Sequence, residues 1–286
     1  MAMVASTAGG TSDGPVFRPN LYHGTAEYYD RYRPPYPSEL LSDLRTRTKI
    51  NGNGRLLDLA CGTGQIAFAV ANDFDEVVAV DQQADSVAFA QSKAHQVGIT
   101  NITWGVGSAE DVAVDGAFEL IVIGNAFHRL RRDVVAERAV SWLQPGGHLA
   151  LLWGGTPWRG DRDWQRAMAS ALDKWKARAG ANDRVPSGWE EALDHDPSAR
   201  VLERAGFEFI GDFTFSHSHV WTTETLVGFT YSTSFLSREA LGHFTRDFEA
   251  DLTERLMRYQ PDGMFEQSID FAYELARNPG GSEGER

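Results

Sequence analysis

The segment LLDLACGTGQIA, residues 56–67, decides the fold of this chain. A β-rich run at 55–60 leads directly into the pattern GxGxxA at 62–67, after which helical spacing begins. A glycine loop between a strand and a helix is typical of nucleoside-binding turns in doubly wound α/β sheets, where glycine lets a ligand approach the backbone closely. The segment therefore predicts such a sheet and a nucleoside-containing ligand.

Strand-like and helix-like segments alternate from this loop to residue 153. The strand-like runs are RLLDLA at 55–60, EVVAVD at 76–81, NITWGV at 101–106, FELIVIG at 118–124 and GHLALLW at 147–153. They are nearly all apolar, as expected for parallel strands that helices cover on both faces. The pattern predicts a parallel, doubly wound core.

The sequences that flank this core differ from it. Residues 21–49 predict one or two helices with a proline-rich hinge at 34–37, and residues 157–205 predict further helices. Residues 207–221 alternate in polarity, which predicts two strands in a hairpin around Gly211 and Asp212. The sequence after residue 222 returns to helical spacing and predicts a helical cap.

These segments divide a chain that we expect to form one structural domain. The expected parts are a flexible tail over 1–20, lid helices over 21–50, the ligand-binding core over 51–156, cap helices plus the terminal strands over 157–222, a C-terminal helical cap over 223–278 and a second flexible tail over 279–286.

Composition excludes several classes of function. Lys+Arg 27 against Asp+Glu 40 gives a net charge of −13, so nucleic acid and anionic membranes are disfavoured partners. No apolar run reaches the ~18 residues of a membrane span, and the first residues lack the features of a secretory signal. The single Cys61 cannot form an internal disulfide. We therefore expect a cytoplasmic protein, a monomer or homodimer, with no bound metal.

Two acidic residues narrow the choice of nucleoside ligand. Asp81 ends the second strand, 17 positions after Gly64, close to the ~20 expected for an acid that binds ribose hydroxyls. Asp58 lies just ahead of the loop, where a carboxylate would repel the pyrophosphate of NAD or FAD. S-adenosylmethionine carries a sulfonium and an ammonium but no phosphate, so it tolerates this carboxylate. A structural role for Asp58, capping loop amides, is compatible with that interpretation.

Six ordered segments resemble the class I S-adenosylmethionine-dependent methyltransferases, specifically the type 11 small-molecule branch. They are AEYYDRYRPPYP, LLDLACGTGQIA, VVAVD, GSAEDV, FELIVIGNAFHRL and WLQPGGHLALLW. Glu119 departs conservatively from the aspartate that is usual in the family. The resemblance implies a Rossmann-like, doubly wound, mostly parallel seven-stranded sheet with an antiparallel C-terminal hairpin and a helical cap. It also implies S-adenosyl-L-methionine as cofactor and S-adenosyl-L-homocysteine as product.

The same resemblance implies a set of cofactor-binding residues. They are Tyr29, Arg33, Asp58, Ala60, Gly62, Gly64, Asp81, Gln82, Ser108, Ala109, Glu110, Asn125 and Ala126. In this assignment Asp58 holds the ammonium, Asp81 accepts from both ribose hydroxyls, and Arg33 clamps the methionine carboxylate. The simpler alternatives are an exposed helix-terminal acid for Glu110, and a packing tyrosine with a solvated arginine for Tyr29 and Arg33.

His128 is the candidate catalytic residue, because a histidine near this point of the family often faces the methyl-transfer centre. Its imidazole is able to accept a proton from a hydroxyl or phenol nucleophile. The alternative is a histidine that caps the next helix or packs under the cap. His23, near the lid, is a weaker candidate for the acceptor side.

The acceptor pocket is expected outside the cofactor core, at the carboxyl ends of the strands. Trp153, Trp158 and Phe235 are the aromatic candidates, since aromatic rings suit a planar acceptor and shield a sulfonium. Ordinary packing of the cap is the alternative for each of them.

The function that the sequence predicts is methyl transfer to a small-molecule acceptor, a bacterial natural product or its intermediate. Whether oxygen, nitrogen or carbon is methylated stays open. The alternatives are a methyltransferase for protein substrates, an NAD-dependent oxidoreductase that uses the same glycine loop, and a scaffold that keeps the fold without catalysis.

Overall fold

The structure, a computed structural model, describes residues 20–280. The tails expected at 1–20 and 279–286 therefore lie almost wholly outside the described residues. The β-strands are β1 Arg55–Leu59, β2 Glu76–Asp81, β3 Ile102–Val106, β4 Phe118–Gly124, β5 Leu143–Gly154, β6 Glu208–Thr222 and β7 Met264–Arg277.

Helices surround these strands. The α-helices are α1 Ala26–Tyr32, α2 Ser38–Thr48, α3 Gln65–Val70, α4 Ala84–Val97, α5 Arg132–Trp142, α6 Asp163–Arg178, α7 Trp189–His195, α8 Ser198–Arg204, α9 Thr223–Tyr231, α10 Arg238–Leu241 and α11 Thr245–Met257. Short 3-10 helices are Ala71–Asp73, Phe127–Arg129, Asn182–Arg184 and Gly242–Phe244.

The strands form a single seven-stranded sheet in the order β3-β2-β1-β4-β5-β7-β6. Strands β1 to β5 run parallel, whereas β7 is antiparallel to both β5 and β6. The strand order reverses between β1 and β4, and ligands of open α/β sheets bind outside the carboxyl ends of the strands at such a point. The predicted fold class is confirmed.

Burial in the central strands explains their apolar sequences. Leu56 and Leu57 of β1 are both fully buried on opposite faces of the sheet, and they belong to two separate core clusters. One cluster lies against α2 and α6, the other against α5 and α8. A sheet covered on both faces needs apolar residues at every position, which is the pattern that the sequence shows.

Two predictions about the C-terminal part are wrong. Residues 207–221 do not form a hairpin around Gly211: β6 is one strand, and its pairing with β7 shifts register between Phe209 and Gly211. Glycine at φ 151° accommodates that irregularity without a chain reversal. Residues 264–277, expected to be helical, form β7. Inward side chains occur there at every second position, and one of them is the polar Gln267, which donates to Thr156 O and accepts from the Trp221 indole.

Candidate functional site

A cavity lies at the carboxyl ends of β1, β2 and β4, below α1 and the turn that precedes it. The residues on its wall that the sequence predicted as cofactor-binding are Tyr29, Asp58, Ala60, Gly62, Asp81, Gln82, Ala109, Glu110, Asn125 and Ala126. Arg33, Gly64 and Ser108, predicted with them, are not on the wall. The cavity occupies the point where the strand order reverses, as the topology requires.

Asp58 is the most deeply buried acid on this wall, with 1% of its surface exposed. Its Oδ2 accepts a hydrogen bond from Ala67 N at 3.1 Å, while Oδ1 has no hydrogen-bond partner among the described residues. Burial raises the pKa of this carboxyl to about 8; the Ala67 bond opposes that rise and nearby Asp81 adds to it. A buried oxygen without a hydrogen bond destabilises the folded protein. A positively charged N–H donor bound in the cavity would supply the missing hydrogen bond to Asp58 Oδ1.

Asp81 organises the glycine loop from the end of β2. Its Oδ2 accepts from Gly62 N at 2.8 Å and its Oδ1 from Gln83 N at 2.7 Å. Burial raises its pKa, although both backbone bonds oppose the rise. Each carboxylate oxygen has more than one acceptor site, so the two ribose hydroxyls of a nucleoside remain compatible with these contacts.

Glu110 is held by its neighbours after β3. Ser108 Oγ donates to Glu110 Oε2 at 2.6 Å, and Arg131 N donates to Oε1 at 3.0 Å. Burial favours a higher pKa, but these hydrogen bonds hold the pKa below its usual value, so the carboxylate is charged at neutral pH. Ser108 therefore orients Glu110 from behind the wall.

Asn125 connects the end of β4 to the lid. It lies in the left-handed region at φ 53°, its Nδ2 donates to Tyr36 Oη at 3.0 Å, and its Oδ1 accepts from Gly154 N at 2.9 Å. Burial raises the pKa of Tyr36 well above its usual value, so this phenol stays neutral. Tyr36 lines the cavity, although no site role was predicted for it. Its place in the N-terminal motif YDRYRPPYP was the available signal.

Arg33 lies away from the cavity wall, so it is not placed to bind the methionine carboxylate as predicted. Its Nε donates to Ser232 Oγ at 2.8 Å, and its guanidinium centre lies 4.2 Å from the Phe229 ring and 4.8 Å from the Tyr29 ring. Arg33 thus joins the end of α1 to the end of α9. Gly64 also acts through packing, because a Cβ there would lie 2.6 Å from the Trp104 ring.

His128 lies in the 3-10 turn after β4 and is not on the cavity wall. Its ring packs between Trp153 and Trp189, at centroid distances of 5.5 and 4.9 Å, and Arg129 Nε donates to its Nε2 at 3.0 Å. Burial, and then the nearby arginines, lower its pKa to about 3. An imidazole with that pKa is neutral over the physiological range and is a weak base.

The four predicted acceptor residues lie in three places, all of them away from the cavity wall. His23 is exposed and its Nδ1 lies 3.2 Å from Glu239 Oε2. Trp158 packs edge-to-face on Phe229 and Phe235, with centroid distances of 5.6 Å to each. None of the four predicted residues, including Trp153 beside His128, lines the cavity.

Several cavity residues were missed by the sequence reasoning. The main ones are Leu21, Tyr22, Thr25, Gln65, Gln83, Ser86, Arg129 and Leu130. Tyr22 and Arg129 reach the wall from the segment before α1 and from the turn after β4, and the Arg129 guanidinium lies 4.8 Å from the Tyr22 ring. A contact between residues so far apart in the chain leaves no local pattern.

Two negative observations concern the whole described chain. Between residues 20 and 280, no helix has the length and apolar character needed to cross a membrane. Over the same range, no three or more His, Cys, Asp or Glu side chains are grouped as metal ligands would be.

In a comparison with known families, the family described as methyltransferase domain matches residues 56–147. The chain is 33% identical over 104 residues to the ubiquinone/menaquinone biosynthesis C-methyltransferase UbiE of Rubrivivax gelatinosus. That match covers 36% of this chain and 40% of UbiE, and the chain spans less than half the length of the curated relatives it matches.

Solved structures share the fold at low sequence identity. A protein from Anaeromyxobacter dehalogenans, provisionally assigned as a type II methyltransferase, superposes with a TM-score of 0.61 at 18% identity, over 86% of this chain and 97% of that one. The Haemonchus contortus phosphoethanolamine N-methyltransferase 2, solved with phosphomonomethylethanolamine and S-adenosylhomocysteine, superposes with a TM-score of 0.52 at 16% identity. That match covers 90% of this chain and 57% of that one. At such identities the likeness is one of fold.

Proposed function

Because the chain carries a methyltransferase domain in the class I methyltransferase fold, we propose that it transfers a methyl group from S-adenosylmethionine to a small-molecule acceptor. The acceptor that we propose is a bacterial natural product or its intermediate, methylated in the cytoplasm. The transfer is an in-line displacement at the sulfonium carbon, and the atom methylated is left open.

The observation that carries this proposal is the state of Asp58. A buried carboxyl with a pKa of about 8 and an oxygen lacking a hydrogen-bond partner among residues 20–280 faces the cavity directly below the glycine loop. The ammonium of S-adenosylmethionine supplies both a positive charge and N–H donors, so it removes the cost of that oxygen. The residues present therefore fit this cofactor.

Other residues of the cavity wall are placed to bind the ribose and the adenine of the cofactor. S-adenosylmethionine, when bound, supplies a methyl group on a positively charged sulfur. Asp81, fixed by Gly62 N and Gln83 N, is oriented to accept from ribose hydroxyls, and charged Glu110 is placed to accept from the exocyclic amine of adenine. Alignment and exclusion of water by the lid account for most of the rate in a reaction of this kind.

The oxidoreductase alternative is disfavoured by the same residue. A pyrophosphate at the glycine loop would lie beside Asp58 and Asp81, two acids that are both buried. An ionised acid beside the diphosphate would repel it, and this repulsion is stronger in a buried site than in water. The neutral alternative, a protonated Asp58, still offers no positive group to the diphosphate.

Calorimetry with purified protein tests the proposal. We expect S-adenosylhomocysteine to bind and NAD to give no heat beyond dilution, and we expect Asp58→Asn to weaken S-adenosylhomocysteine binding by about 1–3 kcal/mol. Asp115→Asn, which changes an exposed loop acid outside the cavity, is the matched control. Binding of NAD in the absence of S-adenosylhomocysteine binding would refute the proposal. Transfer of labelled methyl from the cofactor to an acceptor library then separates an enzyme from a scaffold.

A further inference from the structure

A second groove lies beside helix α1 and is separate from the cofactor cavity. Its walls come from α1, α9, α10 and α11, and its volume is about 340 Å³. The aromatic and charged residues that line it are Tyr28, Tyr32, Tyr231, Glu224, Glu249 and Arg238. Among the described residues, none lines both this groove and the cofactor cavity. The proposed methyl transfer therefore does not account for the groove.

Three tyrosine rings form the aromatic part of this groove. Tyr28 and Tyr32 of α1 are stacked, with their centroids 6.1 Å apart and an angle of 17° between their planes. Tyr231 of α9 meets Tyr28 edge-to-face, with a centroid distance of 5.2 Å. Tyr32 lies directly on Gly228, where no side chain separates the ring from α9. The negative faces of such rings attract positively charged groups.

Two glutamates accept hydrogen bonds from the hydroxyl groups of these rings. Tyr32 Oη donates to Glu224 Oε1 at 3.2 Å, and Tyr231 Oη donates to Glu249 Oε1 at 2.7 Å. A phenol that donates to a carboxylate becomes more electron-rich, because connected hydrogen bonds polarise one another. Each carboxylate also keeps acceptor sites beyond these bonds, since both of its oxygens carry lone pairs. The rings and the acids therefore favour the same kind of ligand, a cation.

Arg238 is the basic residue described on the groove wall. Its Nη1 donates to Tyr28 Oη at 3.1 Å, and its guanidinium centre lies 5.7 Å from the centroid of the Tyr231 ring. The chain thus places one cation of its own on the aromatic wall. Arg31 pairs with Glu224 at 3.2 Å from outside the lining, and both side chains are exposed. Ion pairs between exposed side chains are weak, so a ligand cation is able to compete with Arg31 for Glu224.

We propose that this groove binds a small organic ammonium ion, with the tyrosine faces against its alkyl groups and Glu224 and Glu249 near its charge. The volume of the groove lies at the lower end of the range for small-molecule sites, about 300–1,000 Å³, which suits a small ion. Because α1 also carries Tyr29 to the cofactor cavity, an ion held between α1 and α11 keeps α1 in the position that lines the cavity. The site itself does not depend on the proposed methyl transfer.

Calorimetric titration with three probes of similar shape tests the charge of the ligand. The probes are choline, the neutral alcohol in which a tert-butyl group replaces the trimethylammonium group, and the anion pivalate. We expect choline to bind at least about tenfold more tightly than either of the others, because only a cation gains from the ring faces and the carboxylates. Equal affinities for choline and the neutral alcohol, tighter binding of pivalate, or no choline binding at millimolar concentrations overturns the inference.

Variants of exposed charged residues locate the ion in the groove. We expect Glu224→Gln to weaken choline binding about three- to tenfold and Arg238→Gln to strengthen it about as much, since the second change removes a competing cation. Glu254→Gln, an exposed acid of α11 outside the lining, is the matched control and should leave the affinity unchanged. Weaker choline binding in Arg238→Gln overturns the inference. Loss of choline binding in Asp58→Asn, with no change in Glu224→Gln, also overturns it, because the ion would then lie in the cofactor cavity.

The contribution of the rings has its own pair of variants. Tyr28→Phe keeps the aromatic face and loses the hydroxyl, whereas Tyr28→Leu keeps an apolar side chain without an aromatic face. We expect the choline affinity to stay within about threefold of wild type in Tyr28→Phe and to fall about five- to thirtyfold in Tyr28→Leu. Thermal unfolding shows whether both variants are folded, and the charge variants decide the inference if Tyr28→Leu is not. Equal affinities in two folded Tyr28 variants overturn the inference.

The effect of the ion on the cofactor cavity is measured separately. We expect saturating choline to raise the affinity for S-adenosylhomocysteine about threefold or more, and S-adenosylhomocysteine to raise the affinity for choline by the same factor, because coupling between two sites is reciprocal. Affinities that do not depend on each other overturn the effect on α1. If S-adenosylhomocysteine does not bind, the proposed methyl transfer fails, while the choline titrations still decide whether the groove binds an ammonium ion.

Discussion

Asp58 is buried and His128 is half-buried, and loss of water disfavours the charged form of each side chain. The pKa of Asp58 rises to about 8 and that of His128 falls to about 3. Both groups are therefore mostly neutral at pH 7, one as an acid that still holds its proton and the other as an imidazole without a second proton. A cationic ligand changes the first of these but not the second, because only Asp58 faces the cavity.

Cofactor binding should release a proton from Asp58. Without ligand this carboxyl is protonated below about pH 8, and an ammonium beside it lowers its pKa. The affinity for S-adenosylhomocysteine should thus increase from pH 6 to pH 8, by at most about tenfold per unit, and level off above pH 8. Calorimetry at pH 7 in buffers of different ionisation enthalpy should show release of up to about one proton. Asp58→Asn should bind more weakly with no such dependence, and a pH-independent wild-type affinity would contradict the assignment.

The lid helix α1 connects the cavity to the rest of the helical cap. Helix α1 carries Tyr29 to the cavity wall and packs against α9, where Gly228 lies under the ring of Tyr32. A Cβ at position 228 would lie 2.4 Å from that ring. The close approach of the two helices thus depends on the absence of a side chain, a requirement that propensity alone does not reveal.

Gly228→Ala should push α1 away from α9. We expect a loss of about 1–3 kcal/mol in the free energy of unfolding, as overpacking in a close contact usually costs. Hydrogen exchange over 26–36 should become faster at the same time. Gly105→Ala is the matched control, because its Cβ meets Val80 at an ordinary 3.4 Å. A stable Gly228→Ala protein with unchanged exchange would show that the helices move apart without cost.

For the molecule as a whole, the N-terminal segment is tied to distant parts of the chain. Lys93 of α4 pairs with Asp30 at 2.5 Å, Arg184 Nη2 donates to Leu21 O at 3.4 Å, and Arg33 contacts Ser232. These contacts tie the N-terminal segment, which supplies Leu21 and Tyr29 to the cavity wall, to three other parts of the chain. We expect a ligand in the cavity to stabilise this segment together with the rest of the fold.

S-adenosylhomocysteine should stabilise the whole fold. At one hundred times Kd, binding to the folded state alone contributes about 2.7 kcal/mol, which raises Tm by several degrees for a protein of this size. Thermal unfolding measures this shift, with NAD as the negative control. Hydrogen exchange over 21–36 should slow in the same complex. Stabilisation without protection of that segment would show that the lid does not cover the ligand.

Local sequence was sufficient to find the first five strands, but it predicted two strands where β6 is one and a helix where β7 lies. The apolar runs of β1, β2, β4 and β5 were identified because these inner strands are largely buried on both faces, which leaves a continuous signal. In β7 the buried Gln267 interrupts the inward series, and it is satisfied only by Trp221 on the neighbouring strand. Because the hydrogen-bond partner of Gln267 is 46 positions away, the sequence alone predicts an exposed side chain at this position.

The candidate site, like the fold, was predicted in part from local sequence. The sequence by itself determined the doubly wound fold and the glycine loop with Asp58 and Asp81, because these depend on burial and spacing within short segments. Only the tertiary structure decided which groups meet in the cavity. Tyr36 and Arg129 line the cavity, Arg33 contacts Ser232 instead, and His128 packs against two tryptophans. The physical reason is that desolvation and orientation depend on neighbours supplied by other elements, and no local pattern records them.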